Sequence, residues 1–382
     1  MRLRHAAPFS RGRSLLTRTQ PQTAQQEQTP PVHRGATGWQ GADASIPDAH
    51  RPTGSPVRTP LVTVILPAKD AAPYIGTTLE TLLRQFDDPG SLKLVAVDDG
   101  STDGTGDQMR SYAERFAHAE VLVNPRPVGL ASARNQGLAH IEGDAFCFID
   151  GDDWMQPRRL QVLASRLQEL GCDFLRTDHV RVTGSARKIV RAPFAWRGVV
   201  ASPRDAILPA DDTTMVDYPY AWAGIFHRRI LDQGLAAFPD GLFTAEDRPW
   251  IWRLHLQAGS FAAVDAPAML YRRGVATSLT QVRDRRQLDF PRALSQVVQI
   301  VEQDADAQRF MPKVVRTALA LSSHHIVRSR RMTPALRREM RDSIRDLLAT
   351  LDAADVAHAL DRLEGSKRRV LARTLREAGH AR

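Results

Sequence analysis

Two acidic clusters carry the side chains best suited to chemistry in this sequence. Asp98 and Asp99 open the run Asp98-Asp99-Gly100-Ser101-Thr102-Asp103, and Asp150, Asp152 and Asp153 crowd into Asp150-Gly151-Asp152-Asp153. Each follows directly on a strand-forming run, Leu94-Val95-Ala96-Val97 and Phe146-Cys147-Phe148-Ile149. A carboxylate at the end of a buried strand sits at the mouth of a sheet, where open α/β folds take their ligands. Three acids this close repel one another unless a cation neutralises them. Mg2+ or Mn2+ typically takes one or two carboxylates together with substrate phosphates. The expected chemistry is a nucleotide and metal site, with Asp150 and Asp152 as the metal and diphosphate pair. The plainer reading is local: Ser101 or Asp103 suits the start of the next helix, and the second cluster suits a turn capping a helix near Arg158. Asp99 stands apart, because a second consecutive carboxylate gains no capping bond and suffers its neighbour's repulsion, a cost that a base or ribose donor relieves.

Three further groups belong with these acids. Gly129-Leu130-Ala131-Ser132-Ala133-Arg134 starts a helix with small residues, so its first-turn amides and Arg134 can face a phosphate. The alternative for Arg134 is a salt bridge to a sheet-mouth aspartate, which also puts it in the pocket. Tyr218, Tyr220, Trp222 and Phe226 are dense enough to line a binding wall or to pack a core. Glu246 and Asp247 precede a helical run; alone they read as first-turn acids favoured by the helix dipole.

The elements that must position these residues follow an alternating pattern. Leu61–Leu66 reads as a continuously apolar strand ended by Pro67, and Tyr74, Ile75, Leu79, Leu82 and Phe86 recur at helical spacing. Strand Leu92–Val97, helix Thr105–Phe116, strand Val121–Asn124, helix Leu130–Ile141, strand Ala145–Ile149, helix Arg158–Leu170 and strand Phe174–Asp178 follow. Such alternation predicts an α/β fold with a mostly parallel, Rossmann-like sheet flanked by helices. Val180–Val200 reads as hairpin strands, and the chain beyond Gln287 as helices to its end, a helical appendage. The expected domains are a polar, basic leader over 1–60, a catalytic domain over 61–284 and a helical region over 285–382.

Composition narrows the classes. With 382 residues, 42% hydrophobic and 25% charged, the chain is an ordinary globular protein. Residues 1–60 lack apolar periodicity and read as disordered, and they lack the apolar stretch of a signal peptide. No apolar run is long enough to span a bilayer, so a cytoplasmic location is expected. Cys147 and Cys172 form neither a disulfide framework nor a zinc motif and read as core thiols. The formal charge of +9 comes mostly from the two ends of the chain. The basic C-terminal stretch is nearly free of aromatics, which argues against nucleic acid; it reads as a solvated helical face or a peripheral contact with an anionic membrane surface.

Taken in order, these motifs resemble those of the family 2 glycosyltransferases, enzymes of the GT-A fold that use nucleotide sugars. The resemblance runs from about Leu61 to Thr280 through Val62-Thr63-Val64-Ile65-Leu66-Pro67, Val97-Asp98-Asp99-Gly100-Ser101-Thr102-Asp103, the Gly129–Leu138 segment, Phe148-Ile149-Asp150-Gly151-Asp152-Asp153-Trp154, Glu246-Asp247 and Tyr271-Arg272-Arg273. It implies that Asp99, with Asp98 beside it and Pro67 below, binds base and ribose, and that Arg134 and the Asp150-x-Asp152 motif meet the diphosphate. It further implies that Asp152 contacts an Mn2+ or Mg2+ ion, that Asp247 is the general base, and that Glu246 and Trp222 lie by the acceptor. One base without a second enzymic nucleophile implies single displacement with inversion. Lys69 and Asp70 stand where relatives carry an aromatic residue and Asn, and Gly274 stands where many carry His. The Gln-x-x-Arg-Trp signature of processive relatives is absent, which favours transfer of one sugar. The resulting expectation is a non-processive transferase, with a UDP-sugar donor and a glycan, glycolipid or other hydroxyl acceptor in cell-surface polysaccharide synthesis. A non-catalytic nucleotide-sugar-binding scaffold and a metal-dependent glycerophosphate or phosphoryl transferase are the alternatives.

Overall fold

The computed structural model describes residues 62–275, 284–363 and 365–376; the leader expected over 1–60 lies outside them. The order is β1 (Val62–Ala68), α1 (Ala72–Leu82), β2 (Leu92–Asp98), α2 (Thr105–Ala113), β3 (His118–Val123), α3 (Leu130–Leu138), β4 (Ala145–Phe148), β5 (Trp154–Met155), α4 (Arg159–Leu170), β6 (Phe174–Thr183) and β7 (Ala186–Val190). Then come β8 (Gly224–His227), α5 (Arg229–Asp232), α6 (Asp247–Gln257), β9 (Phe261–Arg272), α7 (Asp289–Glu302), α8 (Ala307–Ser329), α9 (Pro334–Ala349), α10 (Ala353–Arg362) and α11 (Gly365–Arg376).

One sheet runs in the order β3-β2-β1-β4-β8-β6-β9-β5, with β7 pairing the later part of β6 on the edge whose start β8 occupies. β1, β2 and β4 are buried along their whole length, as a parallel strand covered by helices on both faces must be. The pairs β3–β2, β2–β1 and β1–β4 are parallel; β8 then runs antiparallel between β4 and β6, and β6 and β9 are parallel again. The chain order turns back on either side of β1, so the loops after β2 and β4 open a crevice over its carboxyl end. That crevice receives both acidic clusters.

Two strands escape the sequence pattern for physical reasons. β8 is short, buried, and begins at Gly224. β9 contains Pro267 at the point where its register with β6 slips between Thr177 and His179. Beyond that irregularity β9 also pairs with β5, antiparallel, through Trp154↔Leu270. This carries Arg272 back to the second acidic turn.

The helices after residue 285 are not a detached appendage. α6 buries Trp250, Ile251, Trp252, Leu254 and His255 around most of its circumference, and α7 packs along it with Phe290, Leu294, Val297 and Val301. In α8, Lys313 is fully buried and reaches Asp217 at 2.5 Å and the Asp212 carbonyl at 2.6 Å, fastening this helix to the segment that leads into Trp222. Cys147 and Cys172 are buried thiols, with the Cys147 sulfur pushed up to about 12 by burial. No helix among the described residues is long and apolar enough to cross a membrane.

Gly224 offers the sharpest test of this packing. A Cβ built there lies 1.9 Å from the Leu175 carbonyl oxygen on the neighbouring strand, a backbone group that cannot swing aside. Gly224→Ala is expected to lower stability by about 2–3 kcal/mol, read as a fall in urea midpoint with unchanged slope.

Candidate active site

The crevice over β1 is a cavity of about 940 Å3 lined by Pro67, Asp99, Arg134, Asp150, Asp152, Trp222, Glu246 and Asp247 among others. Residues far apart in sequence therefore meet in one place. Asp98 is the exception: its carboxylate accepts from the Ser101 amide at 3.0 Å and lies against Gly106, where a Cβ would sit 2.2 Å from its oxygen. It caps the turn into α2 and does not line the cavity, which corrects its expected place beside the nucleotide.

Asp99 also differs from expectation. Its oxygens accept from Asn124 Nδ2 at 3.0 Å, from the Val128 amide at 2.7 Å and from the Gly129 amide at 2.9 Å. The carboxylate expected to lack a local partner thus organises the loop before α3, with one edge toward the cavity. Asp70 occupies the left-handed region at φ 47°, which Asp and Asn tolerate better than most residues, and is held by Ser101 and Thr102. Tyr74, from α1, supplies an aromatic wall nearby.

Arg134 joins the second cluster to the Glu-Asp pair. Its guanidinium, with only 4% of the side chain exposed, donates to Asp150 at 2.9 Å and to Glu246 at 3.0 Å and lies over the Phe238 ring. Burial works against its charge, but Asp150 and Glu246 outweigh that and hold it more firmly protonated than usual. Asp99 takes the Val128 and Gly129 amides that precede α3, and Arg134 is the buried cation here.

The three acids of the second turn divide their work. Asp153 is fully buried: one oxygen accepts from the Arg272 amide at 2.7 Å, the other has no partner, and burial followed by the charge of Asp152 pushes it well above the usual range. It fixes the turn and takes no part in the crevice. Arg272 also donates to the Asp152 carbonyl at 2.8 Å while lying over the Trp154 and Tyr74 rings. Gly151 is required because a Cβ would meet that of Ala68 at 2.6 Å. Asp152 faces the cavity, raised to about 6 by burial and then by repulsion from Asp150. No group of three or more His, Cys, Asp or Glu among the described residues is arranged to hold a metal ion. Asp152, with no close cation of its own, and Asp150, which Arg134 engages through one oxygen, nevertheless fit a divalent cation that enters with a diphosphate and keeps waters as its other ligands.

Glu246 and Asp247 begin α6 behind Ala245, a non-glycine residue at φ 63°. Backbone strain of this kind is uncommon and clusters at functional sites. Glu246 is buried and pushed up to about 7 by loss of hydration and by Asp247. Asp247 is also raised, mainly by loss of hydration, yet shows 29% of its side chain to the cleft. Of the two, Asp247 is the acid that a bound molecule can reach.

Trp222 is stacked on Tyr220 at 4.8 Å and packs against Tyr271 at 5.0 Å, and the three rings line the cavity together. The remaining wall comes from the helical region: Arg286, Phe290, Leu321, His324, His325 and Arg328 all line the cavity. His325 lies flat on Phe290 at 3.9 Å and is held neutral by burial, down to about 3. These residues follow no motif. The one sequence signal was Ser322-Ser323-His324-His325 interrupting an apolar helix.

The profile described as Glycosyl transferase family 2 matches residues 63–233. The uncharacterized glycosyltransferase EpsJ of Bacillus subtilis is 25% identical over 232 residues, 60% of this chain and 66% of EpsJ. Validoxylamine A glucosyltransferase of Streptomyces hygroscopicus subsp. limoneus is 34% identical over 113 residues, 29% of this chain and 25% of that enzyme. The chain thus spans less than two thirds of either relative. Among solved structures, S. aureus TarS 1-349 in complex with UDP-GlcNAc superposes with a TM-score of 0.65 at 17% identity, over 84% of this chain and 92% of that one. That likeness is one of fold.

The Glu246 carboxyl gives a pH signature. Its ordinary value of 4.5 rises to about 7 in the fold, so between those limits the native state binds more protons than the unfolded state and stability falls as pH rises. Glu246→Gln is expected to flatten this fall, gaining on the order of 2 kcal/mol relative to wild type at pH 8 over pH 5. Denaturation curves at the two pH values check it; parallel wild-type and variant profiles would count against the assignment.

Proposed function

Residues 63–233 belong to glycosyl transferase family 2 and the chain has the GT-A fold, and from that premise we propose that it moves a single sugar from a nucleoside diphosphate sugar, with UDP as the nucleotide, to an acceptor hydroxyl with inversion. The observation that carries the reading is the Arg134 bridge, which brings the Asp150-x-Asp152 turn and the Glu246-Asp247 helix start to one cavity wall. A cell-surface polysaccharide or other glycoconjugate is the proposed acceptor class, resting on the family resemblance alone.

Asp99 and the Pro67 edge of β1 take base and ribose in this reading, and Asp150 and Asp152 are the residues that would hold Mn2+ or Mg2+. When bound, that cation supplies positive charge where the leaving diphosphate gathers negative charge. Arg134 then has two duties: it steadies Asp150 and it keeps Glu246 folded away, so Glu246 positions the bridge instead of touching the acceptor. Asp247 accepts the proton of the acceptor hydroxyl as that oxygen attacks the anomeric carbon and the bond to the phosphate breaks. Loss of hydration makes it a stronger base than an exposed aspartate. Trp222, braced by Tyr220 and Tyr271, offers an apolar face to the acceptor sugar. Asp150 and Asp152, the acids of the second turn, are assigned to the diphosphate in this reading, which leaves Asp247 as the base of a direct displacement.

Asp247→Asn is expected to lower turnover at least 100-fold while leaving donor affinity within about twofold, measured by product release and by calorimetry; unaltered turnover removes Asp247 as the base. In wild type the acid limb of kcat/KM should rise with pH through a midpoint above the ordinary aspartate value of 3.8. A thermal-shift panel of UDP, GDP and dTDP sugars with and without Mn2+ addresses the donor. The expected result is a UDP-sugar shift that needs the metal and disappears in Asp152→Asn. Transfer of phosphate instead of a sugar in product analysis overturns the whole reading.

A further inference from the structure

The β6–β7 hairpin and the loop after it carry an apolar and cationic surface that no step of sugar transfer uses. Every residue from Thr183 to Ile189 is exposed, so the hairpin tip stands clear of the sheet. Ile189 is 66% exposed, Trp196 63% and Val199 50%. Between Asp178 and Asp205 the sequence has no acid but contains Arg181, Arg187, Lys188, Arg191, Arg197 and Arg204. Arg197 pairs with Asp178 at 2.9 Å, and Arg204 pairs with Asp304 and Asp306. The other four have no carboxylate partner among the described residues.

Asp178 makes these stretches neighbours. It accepts from the Ala192 amide at 2.8 Å as well as from Arg197, folding the segment that bears Trp196 back onto the base of the hairpin. Phe194 anchors the same segment inward, 4.8 Å from Phe261 and 5.7 Å from Trp196. Cations on an outer strand commonly guard against edge-to-edge pairing, and that accounts for Arg187 and Lys188. It does not account for a tryptophan and an isoleucine left in water beside them.

We infer that this hairpin and the 192–200 loop dock the protein on an anionic lipid surface. Apolar and aromatic side chains that enter the headgroup layer, flanked by Arg and Lys that meet anionic headgroups, are the features such docking needs. A soluble polyanion would engage the cations but leave Ile189, Trp196 and Val199 in water, so the lipid is the occupant that satisfies both halves of the surface. The placement has a consequence for the cleft. β6 pairs Arg181 with Tyr271 and Val182 with Arg272, and the Arg273 amide donates to the Val182 carbonyl at 2.8 Å. Tyr271 and Arg273 line the cavity, so the docking element adjoins its mouth. The inference puts the membrane contact here and not at the basic C-terminal stretch, where Arg368 pairs with Asp361. The inference stands apart from sugar transfer and can fail while that reading holds.

Co-sedimentation of the full chain with vesicles tests it, using phosphatidylcholine alone and phosphatidylcholine with one-third phosphatidylglycerol, at low and physiological salt. Binding is expected only to the anionic vesicles and to weaken with salt. Each cation near such a surface is worth about fivefold in partitioning, so Arg187→Glu with Lys188→Glu should reduce binding about tenfold or more. Ile189→Ser with Trp196→Ser should reduce binding at both salt concentrations, and Lys367→Glu with Arg369→Glu should leave it within about twofold. Thermal melts of each variant establish that the fold is kept. No binding to either vesicle overturns the inference, as does loss confined to the C-terminal variant. An unaffected apolar double variant also overturns it and points to a soluble polyanion.

Discussion

A single buried cation holds the crevice together. Arg134 sits under the surface with a carboxylate on each side, one from the end of β4 and one from the start of α6, and an aromatic face beside it. Burying a guanidinium costs several kcal/mol of hydration, which is recovered only where charged partners are close and well aligned. Here they are, and the alignment fixes three elements that the backbone alone does not join: α3, the turn after β4, and α6. The pair also leaves acids over. Asp152 and Asp247 have no cation of comparable closeness, so a local excess of negative charge stays at these two buried acids. Such excess is unfavourable for the empty fold and is the kind of arrangement that a bound cation and a proton-donating acceptor resolve.

The position of that excess is set by ordinary packing. Asp153 points inward to meet the Arg272 amide, while Asp152 faces the cavity. Gly151 lets the turn lie against Ala68. Arg272, clamped between Tyr74 and Trp154, carries the far end of β9 to the same turn. The irregular pairing of β9 at Pro267 is thus what allows one strand to brace β6 in its first half and the acidic turn in its second.

How far the sequence reveals this depends on the range of the interaction. The parallel core was legible, because β1, β2 and β4 are continuous apolar runs and α1 spaces Ile75, Leu79 and Leu82 on one face. The acids after β2 and β4 were legible because the end of a buried strand is a recognisable place. Their individual duties were not: Asp98 and Asp99 are adjacent and identical in type, yet one caps a turn and the other gathers the Val128 and Gly129 amides, a choice made by residues about thirty positions away. β8 and β9 were hidden by a glycine and a proline that local propensity counts against strands. The wall formed by Phe290, Leu321, His324 and His325 had no local signature, since only the packing of α7 on α6 and of α8 on the Asp217 segment brings it to the cleft.

That last packing changes what the helical region is for. If α7 were lifted away, Trp250, Ile251 and Leu254 would lose part of their cover, and α6 would no longer be a helix buried on most sides. Glu246 and Asp247 stand at the first turn of that helix, and their raised values come chiefly from lost hydration. The helix dipole at an N-terminus favours carboxylate charge and would pull those values down. Burial wins here, and part of the burial is supplied by residues that follow position 285 in the chain. The raised value of Asp247 is therefore a property of the whole described fold. The strained backbone at Ala245 stands directly before these two acids, of which Glu246 is buried and Asp247 keeps an opening to the cleft.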